Sequence, residues 1–339
     1  MAESLAVKYR PKEFSEAVGQ DAIITILEKQ LEKRNFKNAF LFCGASGCGK
    51  TTVARIFANK INEGYGEPIE IDAASNNGVD NIRDIVSAAN ERSIDSEYKI
   101  YIIDECHTLT PQSWQAFLKC LEEPPKYTIF IFCTTDPQKI PDTILNRVMR
   151  FNFNRIKTDA IIERLKFICE QEGFTYEEKA IDYLARVADG GMRTAISLLD
   201  KVASYNKTIS LNNTSDALGS YSYTSFFRIL NAMLKGEEKN VIQLIGEYYN
   251  NGHDLKIFVS QFLTFCLDVD KYLLFQSFDM TKIPQTMQPE LNSIAAIQNA
   301  SETISYYLDN LLELRTLIKN DVDPKSIIEV TLLKMMRKQ

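Results

Sequence analysis

AFLFC at residues 39–43 runs directly into GASGCGKT at residues 44–51, and a helical pattern leaves it from Lys50 onward. An apolar strand, a glycine-rich turn and a helix start, in that order, make a phosphate-binding loop. Gly44, Gly47 and Gly49 free the backbone to turn successive N–H groups inward around two phosphates, with Ala45, Ser46 and Cys48 supplying the amides between them. Lys50 then reaches toward the β- and γ-phosphates. The Thr51 hydroxyl, with Thr52 beside it, is the expected Mg²⁺ ligand, and the helix points its positive end at the anion.

KIYII at residues 99–103 has the apolar continuity of a buried strand and ends in Asp104 and Glu105. At the carboxyl end of a strand downstream of a phosphate loop, Asp104 can hold the metal and Glu105 can polarise an attacking water as catalytic base. Further apolar stretches at Ala39–Cys43, Pro68–Asp72, Thr128–Thr134 and Met149–Phe153 alternate with helical patterns at Asp21–Arg34, Lys50–Asn62, Asp80–Arg92 and Pro111–Glu122. Such alternation predicts an α/β fold, a mostly parallel sheet covered on both faces with its ligand at the carboxyl ends of the strands.

The remainder changes character. From Lys157 to about Asn206 the periodicity is helical, with Ile161, Leu165 and Ile168, then Ala180, Tyr183 and Leu184, then Ala195, Leu198 and Leu199. After the polar stretch Asn206–Ser215 a further all-helical segment runs on, with breaks expected near Gly236, Asn250–Gly252, Pro284–Pro289 and Asp321–Pro324. Its stripes of Phe226, Phe227 and Leu230, of Phe258, Phe262 and Phe265, and of Tyr306, Tyr307 and Leu311 read as core and inter-subunit packing.

Composition bounds the function. The 339 residues suffice for two or three domains, and 45% hydrophobic with 25% charged side chains is ordinary for a soluble globular protein. No stretch is apolar enough for a membrane span, and MAESLAVKYRPKEF at residues 1–14 is too charged for a secretory leader, so a cytoplasmic location is expected. Seven cysteines without a CxxC pair read as buried thiols in a reducing compartment. The net charge of −6 is spread evenly along the chain, so any DNA contact must come from local arrangement and not from a basic patch.

KYRPKEFSEAVGQ at 8–20, EIDAASNNGVDNIRDI at 70–85, LEEPP at 121–125 and TTDPQKIPDTILNR at 134–147 complete a set that resembles the AAA+ ATPase core of clamp-loader subunits. The gamma/tau family of bacterial DNA polymerase III is the nearest in pattern, and the small subunits of replication factor C are more distant. NNGHDLKIFVSQFL at 250–263 and DPKSIIEVTLLKM at 323–335 extend the resemblance over nearly the whole chain. It implies an AAA+ P-loop ATPase domain at 1–155, a small helical lid at 156–208 and an all-α collar for oligomerisation at 209–339.

The resemblance also implies roles for single residues. Tyr9, Arg10, Pro11, Val18 and Gly19 match the segment around the adenine base. Thr135 matches a sensor of the γ-phosphate and attacking water, Arg193 a second sensor on the lid, and Arg147 an arginine finger that serves the ATP site of the neighbouring subunit. Three departures accompany the match. The finger sits in Asn146-Arg147-Val148 where the family has Ser-Arg-Cys; Lys60 to Pro68 is short and lacks the family's four-cysteine zinc module, so no zinc is expected; and the sequence stops at Gln339, so the long extension of tau is expected to be absent.

Two helix starts suit DNA phosphates without lysines: Asn76-Asn77-Gly78 before a helix from about Val79, and Thr110-Pro111-Gln112 before the next. Asn76, Asn77, Arg83, Gln112 and Ser113 are expected to face a duplex and read its backbone, with little sequence preference. The combined expectation is a subunit, in a homo- or hetero-oligomer, of a loader that uses ATP and Mg²⁺ to open a sliding clamp on primer–template DNA. Another oligomeric AAA+ DNA motor, such as a branch-migration helicase or a fork-repair ATPase, and a structural ATP-binding subunit remain as alternatives.

Overall fold

The structure is a computed structural model that describes residues 3–218, 223–250, 254–278, 280–283, 287–321 and 323–337. Of the expected breaks, residues 251–252, 284–286 and 322 lie outside the described residues, as do residues 251–253 of the 250–263 segment. The described chain divides into two compact units, 1–209 and 210–339.

The first unit opens with α1 (Leu5–Lys8) and α2 (Asp21–Lys33), then alternates β1 (Ala39–Cys43), α3 (Lys50–Ile61), β2 (Ile69–Asp72), α4 (Val79–Ala89), β3 (Lys99–Asp104), α5 (Pro111–Glu122), β4 (Thr128–Thr134), α6 (Asp142–Leu145) and β5 (Met149–Asn152). The five strands form one sheet in the order β2-β3-β4-β1-β5, every pairing parallel. Side chains alternate across a strand, so β1 sends Phe40 and Phe42 to one face and Leu41 and Cys43 to the other. On the first face Ile100, Ile102, Ile129 and Ile131 meet Leu27 of α2 and Val53, Phe57 and Ile61 of α3. On the second, Tyr101, Ile103, Phe130 and Phe132 meet Ile82 of α4 and Trp114 and Phe117 of α5. With both faces covered, the central strands β1 and β4 are buried at every position and apolar but for Thr128 and Thr134 at the two ends of β4. The edge strand β2 differs, being exposed at Ile69, Glu70 and Asp72.

Three helices follow β5: α7 (Thr158–Glu172), α8 (Glu178–Val187) and α9 (Met192–Tyr205). They close on Ile161, Leu165, Ile168, Ala180, Leu184, Ala195 and Leu199, all fully buried. Two short strands, β6 (Thr175–Tyr176) and β7 (Thr208–Ile209), pair in parallel beside these helices, the first within the stretch expected to be helical and the second in the polar stretch after it. Cooperation between distant residues makes this ladder, and two residues carry no periodicity to announce it.

The second unit is all helical: α10 (Leu211–Leu218), α11 (Tyr223–Leu234), α12 (Glu238–Asn250), α13 (Leu255–Phe275), α14 (Gln288–Ala295), α15 (Ala300–Leu317) and α16 (Pro324–Arg337). The polar stretch Asn206–Ser215 already contains the start of a helix, because Ser210 caps α10: its hydroxyl accepts from Asn213 N at 3.2 Å. Asp254 caps α13 in the same way, accepting from the amides of Lys256 and Ile257. Phe226, Phe258, Phe262 and Phe265 interlock in the core, and Tyr307, fully buried, donates its hydroxyl to Met233 O. No helix among the described residues is long and apolar enough to cross a membrane.

Candidate nucleotide-binding and catalytic site

The loop between β1 and α3 wraps the amino end of α3, and Gly49, its N-cap, takes φ 103, a conformation that suits glycine. A side chain at Gly44 would lie 2.6 Å from Phe153 O, so only glycine lets the loop leave β1 against the chain that follows β5. Lys50 is buried, and its ammonium donates to Gly44 O at 2.9 Å and Ala45 O at 3.0 Å, placing one positive charge in the throat of the loop. The buried Gln20 braces the loop from below: its amide donates to Cys48 O and Asn154 O and accepts from Asn154 N. Sequence reading quoted Gln20 without assigning it, since nothing in its neighbours shows that it faces inward.

Pairing of β2 with β3 sets Asp72 beside Asp104 at the carboxyl edge of the sheet. Across the cleft Thr51 Oγ1 donates to Asp104 Oδ2 at 2.8 Å. A hydroxyl and a carboxylate in contact are an oxygen donor set of the kind a hard divalent cation takes, so these two residues fit Mg²⁺. Glu105 next turns left-handed, with φ 47, and its carboxylate swings toward the end of β4, where Thr135 Oγ1 donates to Glu105 Oε2 at 3.0 Å. His107 Nδ1 stands 3.2 Å from the same oxygen. Sequence reading missed His107, whose approach depends on the Glu105 turn. Cys106 and Cys133 lie buried beneath, their thiols pushed well above the ordinary range chiefly by loss of solvent, which makes them inert packing.

The cleft holds about 980 Å³ of space between atoms, part of it open solvent. Residues 46–53, from the loop and the first turn of α3, form one wall together with Asp104 and Glu105. Tyr9, Arg10, Pro11 and Val18 form another, and Ile156, Arg164, Met192, Arg193 and Ile196 close it from the lid side. Gly19 stands outside this lining but packs against Ile156, with a β-carbon position 3.5 Å from its Cγ2. Burial pulls the Arg10 guanidinium below its ordinary value, and repulsion from Arg55 and Arg193 adds to the effect. Arg10, Lys50, Arg164 and Arg193 thus make a cationic enclosure suited to a polyanion.

The lid is joined to the loop through small residues. Met192 N donates to Gly47 O at 3.0 Å, and a β-carbon on Gly47 would come within 3.2 Å of Gly191 Cα. The first helix is held to the lid as well: Leu5 N donates to Asp200, Arg164 to Tyr9 O, and Lys8 and Tyr9 both to Glu172 Oε1. Burial and the Glu172 carboxylate push the Tyr9 phenol up to about 12, while Lys8 and then Tyr9 hold Glu172 below the usual carboxylate range.

Arg147 is not among the residues lining this cleft. Its guanidinium donates to Glu122 Oε1 at 2.6 Å and to Thr143 O at 2.6 Å, so LEEPP and the segment around α6 hold it at the surface of the same chain.

Of the residues expected to face a duplex, Asn77, Arg83 and Gln112 are exposed, Asn76 is half-buried, and Arg83 pairs with Asp80. Thr110 caps α5 by accepting from Ser113 N, with Pro111 at the first helical position. Ser113 corrects the expectation: it is fully buried, and its hydroxyl donates to Asn77 O at 2.6 Å. The cap geometry turns that hydroxyl inward, where it ties the start of α5 to the turn before α4.

Strand order, phosphate loop, paired carboxylates and helical lid together define a P-loop ATPase fold of the AAA+ class. The Thermotoga maritima RuvB Holliday junction branch migration motor shares that fold at a TM-score of 0.53 and 18% identity, over 67% of this chain and 79% of that one. Residues 67–157 match the family described as DNA polymerase III, delta subunit; residues 160–206 match the DNA polymerase III clamp loader subunit, ATPase lid domain; and residues 209–339 match DNA polymerase III subunits gamma and tau domain III. The DNA polymerase III subunit gamma of Buchnera aphidicola subsp. Baizongia pistaciae is 30% identical over 98% of this chain and 96% of its own length. The tau subunit of Bacillus subtilis is 38% identical over 73% of this chain. The chain belongs to the DNA polymerase III gamma/tau family. It spans about half the length of the tau and gamma/tau relatives from Bacillus subtilis, at 48%, and Mycoplasma genitalium, at 52%.

Proposed function

We propose that this chain is an ATPase subunit of a DNA sliding-clamp loader, with its ATPase domain at 1–155, its lid at 156–208 and its collar at 209–339. The observation that carries the reading is the meeting of Lys50, Thr51, Asp104 and Glu105 on the lining of one cleft, with Thr135 bonded to Glu105 behind it, while Arg147 lies outside and is held by Glu122. ATP fits the cleft with its base between the Tyr9–Val18 segment and the apolar lid residues, and its phosphates in the loop. Thr51 and Asp104 would hold Mg²⁺, which offsets phosphate charge when bound. Glu105 accepts the proton as water attacks the γ-phosphorus, and Arg193 reports the phosphates to the lid.

Arg147 completes the site of a neighbouring subunit, so hydrolysis depends on assembly. In that assembly ATP binding favours the state that opens a clamp and admits primer–template DNA, and hydrolysis removes that preference. Asn76, Asn77, Arg83 and Gln112 track the duplex backbone, and the backbone amide of Gln112, in the first turn of α5, supplies a further phosphate donor. ATP hydrolysis by the purified assembly, with and without primed DNA and the cognate clamp, tests the reading. Stimulation by both together is expected. A flat response, or ATP-driven strand separation without a clamp response, would count for a different AAA+ motor.

A further inference from the structure

We propose that His107 is a positioning residue for Glu105, fixing which carboxylate oxygen is offered to the attacking water; this rests on the reading of Glu105 as catalytic base. The geometry comes from one turn. Glu105 adopts φ 47 and ψ 40, and the 3₁₀ turn of residues 106–108 that follows returns the chain so that His107 faces its neighbour's carboxylate. His107 Nδ1 lies 3.2 Å from Glu105 Oε2 and 3.3 Å from Thr134 Oγ1. Thr134 is buried, and its oxygen already accepts from Asp136 N at 3.0 Å.

An ionised carboxylate only accepts hydrogen bonds, so the contact with Glu105 is favourable when Nδ1 carries the hydrogen. That hydrogen is directed at the Thr134 oxygen, which anchors the ring to the end of β4 and keeps Nδ1 beside Oε2 as a close polar contact rather than an aligned hydrogen bond. Thr135 donates to the same Oε2 at 3.0 Å, so one hydrogen bond and one close imidazole nitrogen converge on one oxygen. Among the described residues no protein group donates to Oε1, which is left to take a proton from water. The imidazole works with Thr135 as the second half of a clamp: Thr135 alone would leave the carboxylate free to rotate about its terminal bond, exchanging the two oxygens. His107 touches neither ATP nor water in this scheme and acts only through Glu105.

The chemistry of the contact supplies its own test, because asparagine and glutamine each reproduce one nitrogen of histidine. In His107→Asn the amide nitrogen stands where Nδ1 stands; in His107→Gln it stands where Nε2 stands. Steady-state ATP hydrolysis by the assembly with primed DNA and clamp, together with affinity for a fluorescent ATP analogue, separates the cases. His107→Ala and His107→Gln are expected to lower kcat by about tenfold with KM and analogue affinity within about twofold of the parent, and His107→Asn to restore most of the rate. Equal rates for Ala, Gln and Asn, or a loss of analogue affinity matching the loss of rate, would overturn the assignment. Glu105→Gln measured alongside keeps the two ideas apart: if it still hydrolyses ATP, the base assignment has failed, whereas an inactive Glu105→Gln with a fully active His107→Ala removes His107 alone.

Discussion

Glu105 holds a left-handed backbone that a side chain with a β-carbon adopts at a cost, and such conformations persist where surrounding contacts fix them. Here the contacts are Thr135 and His107 on its carboxylate and Thr108, whose amide and hydroxyl both donate to Glu105 O. Lys50 has a different task, a buried cation facing the loop carbonyls until an anion competes for it. The two residues should therefore fail differently. Glu105→Gln is expected to keep affinity for ATP while losing at least about a hundredfold in hydrolysis, and Lys50→Ala to lose affinity itself. Equilibrium binding of a fluorescent ATP analogue, set beside the hydrolysis rate of each variant, checks this; parallel loss of both quantities in both variants would refute the division of labour. At this scale the motif residues were legible, because spacing alone placed Lys50, Thr51, Asp104 and Glu105. Gln20 and His107 were not, since Gln20 bonds to Cys48 and Asn154 far along the chain and His107 meets Glu105 only through the left-handed turn at Glu105.

At the scale of elements, the joint between α1 and the lid rests on Tyr9 and Lys8 meeting Glu172 on α7. The signs of the two shifts set its pH window. Tyr9 is raised from 10.0 to about 12, so its contribution is whole below pH 10.0 and fades as pH climbs toward the raised value. Glu172 is lowered from 4.5, so its contribution is whole above that value and is lost as pH falls through the depressed one. The difference in Tm between the parent and Tyr9→Phe should stay level between about pH 6 and 9 and shrink in acid below 4.5. A gap that widened on acidification would show that the hydroxyl serves some other contact. Helix and strand identity followed from periodicity, and α5 was placed at Pro111–Glu122 because its cap threonine, N1 proline and apolar stripe agree. The helix end at Ala89 came earlier than the sequence suggested, since Asn90 to Arg92 carry no apolar residue to continue the buried face of α4. Ser113 turned inward because a cap hydroxyl and the Asn77 carbonyl compete for it more closely than solvent does.

For the whole molecule, the parallel sheet, lid and all-helical second unit were foreshadowed by the switch from alternating strands and helices to helical periodicity alone. Neither ladder β6–β7 nor the start of α10 could be seen that way, because one is two residues long and the other hides in polar sequence behind Ser210. The central claim belongs to this scale: one subunit cradles ATP and the next completes its site through Arg147, which in this chain is bound to Glu122 outside its own cleft. Mixing Glu105→Gln and Arg147→Ala subunits tests it most directly, since each variant alone spoils every site while a mixed ring contains some with both groups intact. ATP hydrolysis in a random mixture is predicted to recover to roughly a quarter of the parental rate, as half the sites keep Glu105 and half of those face an intact arginine. Hydrolysis that stayed at the level of the two inactive variants, in a mixture shown to contain both in one particle, would contradict a shared site.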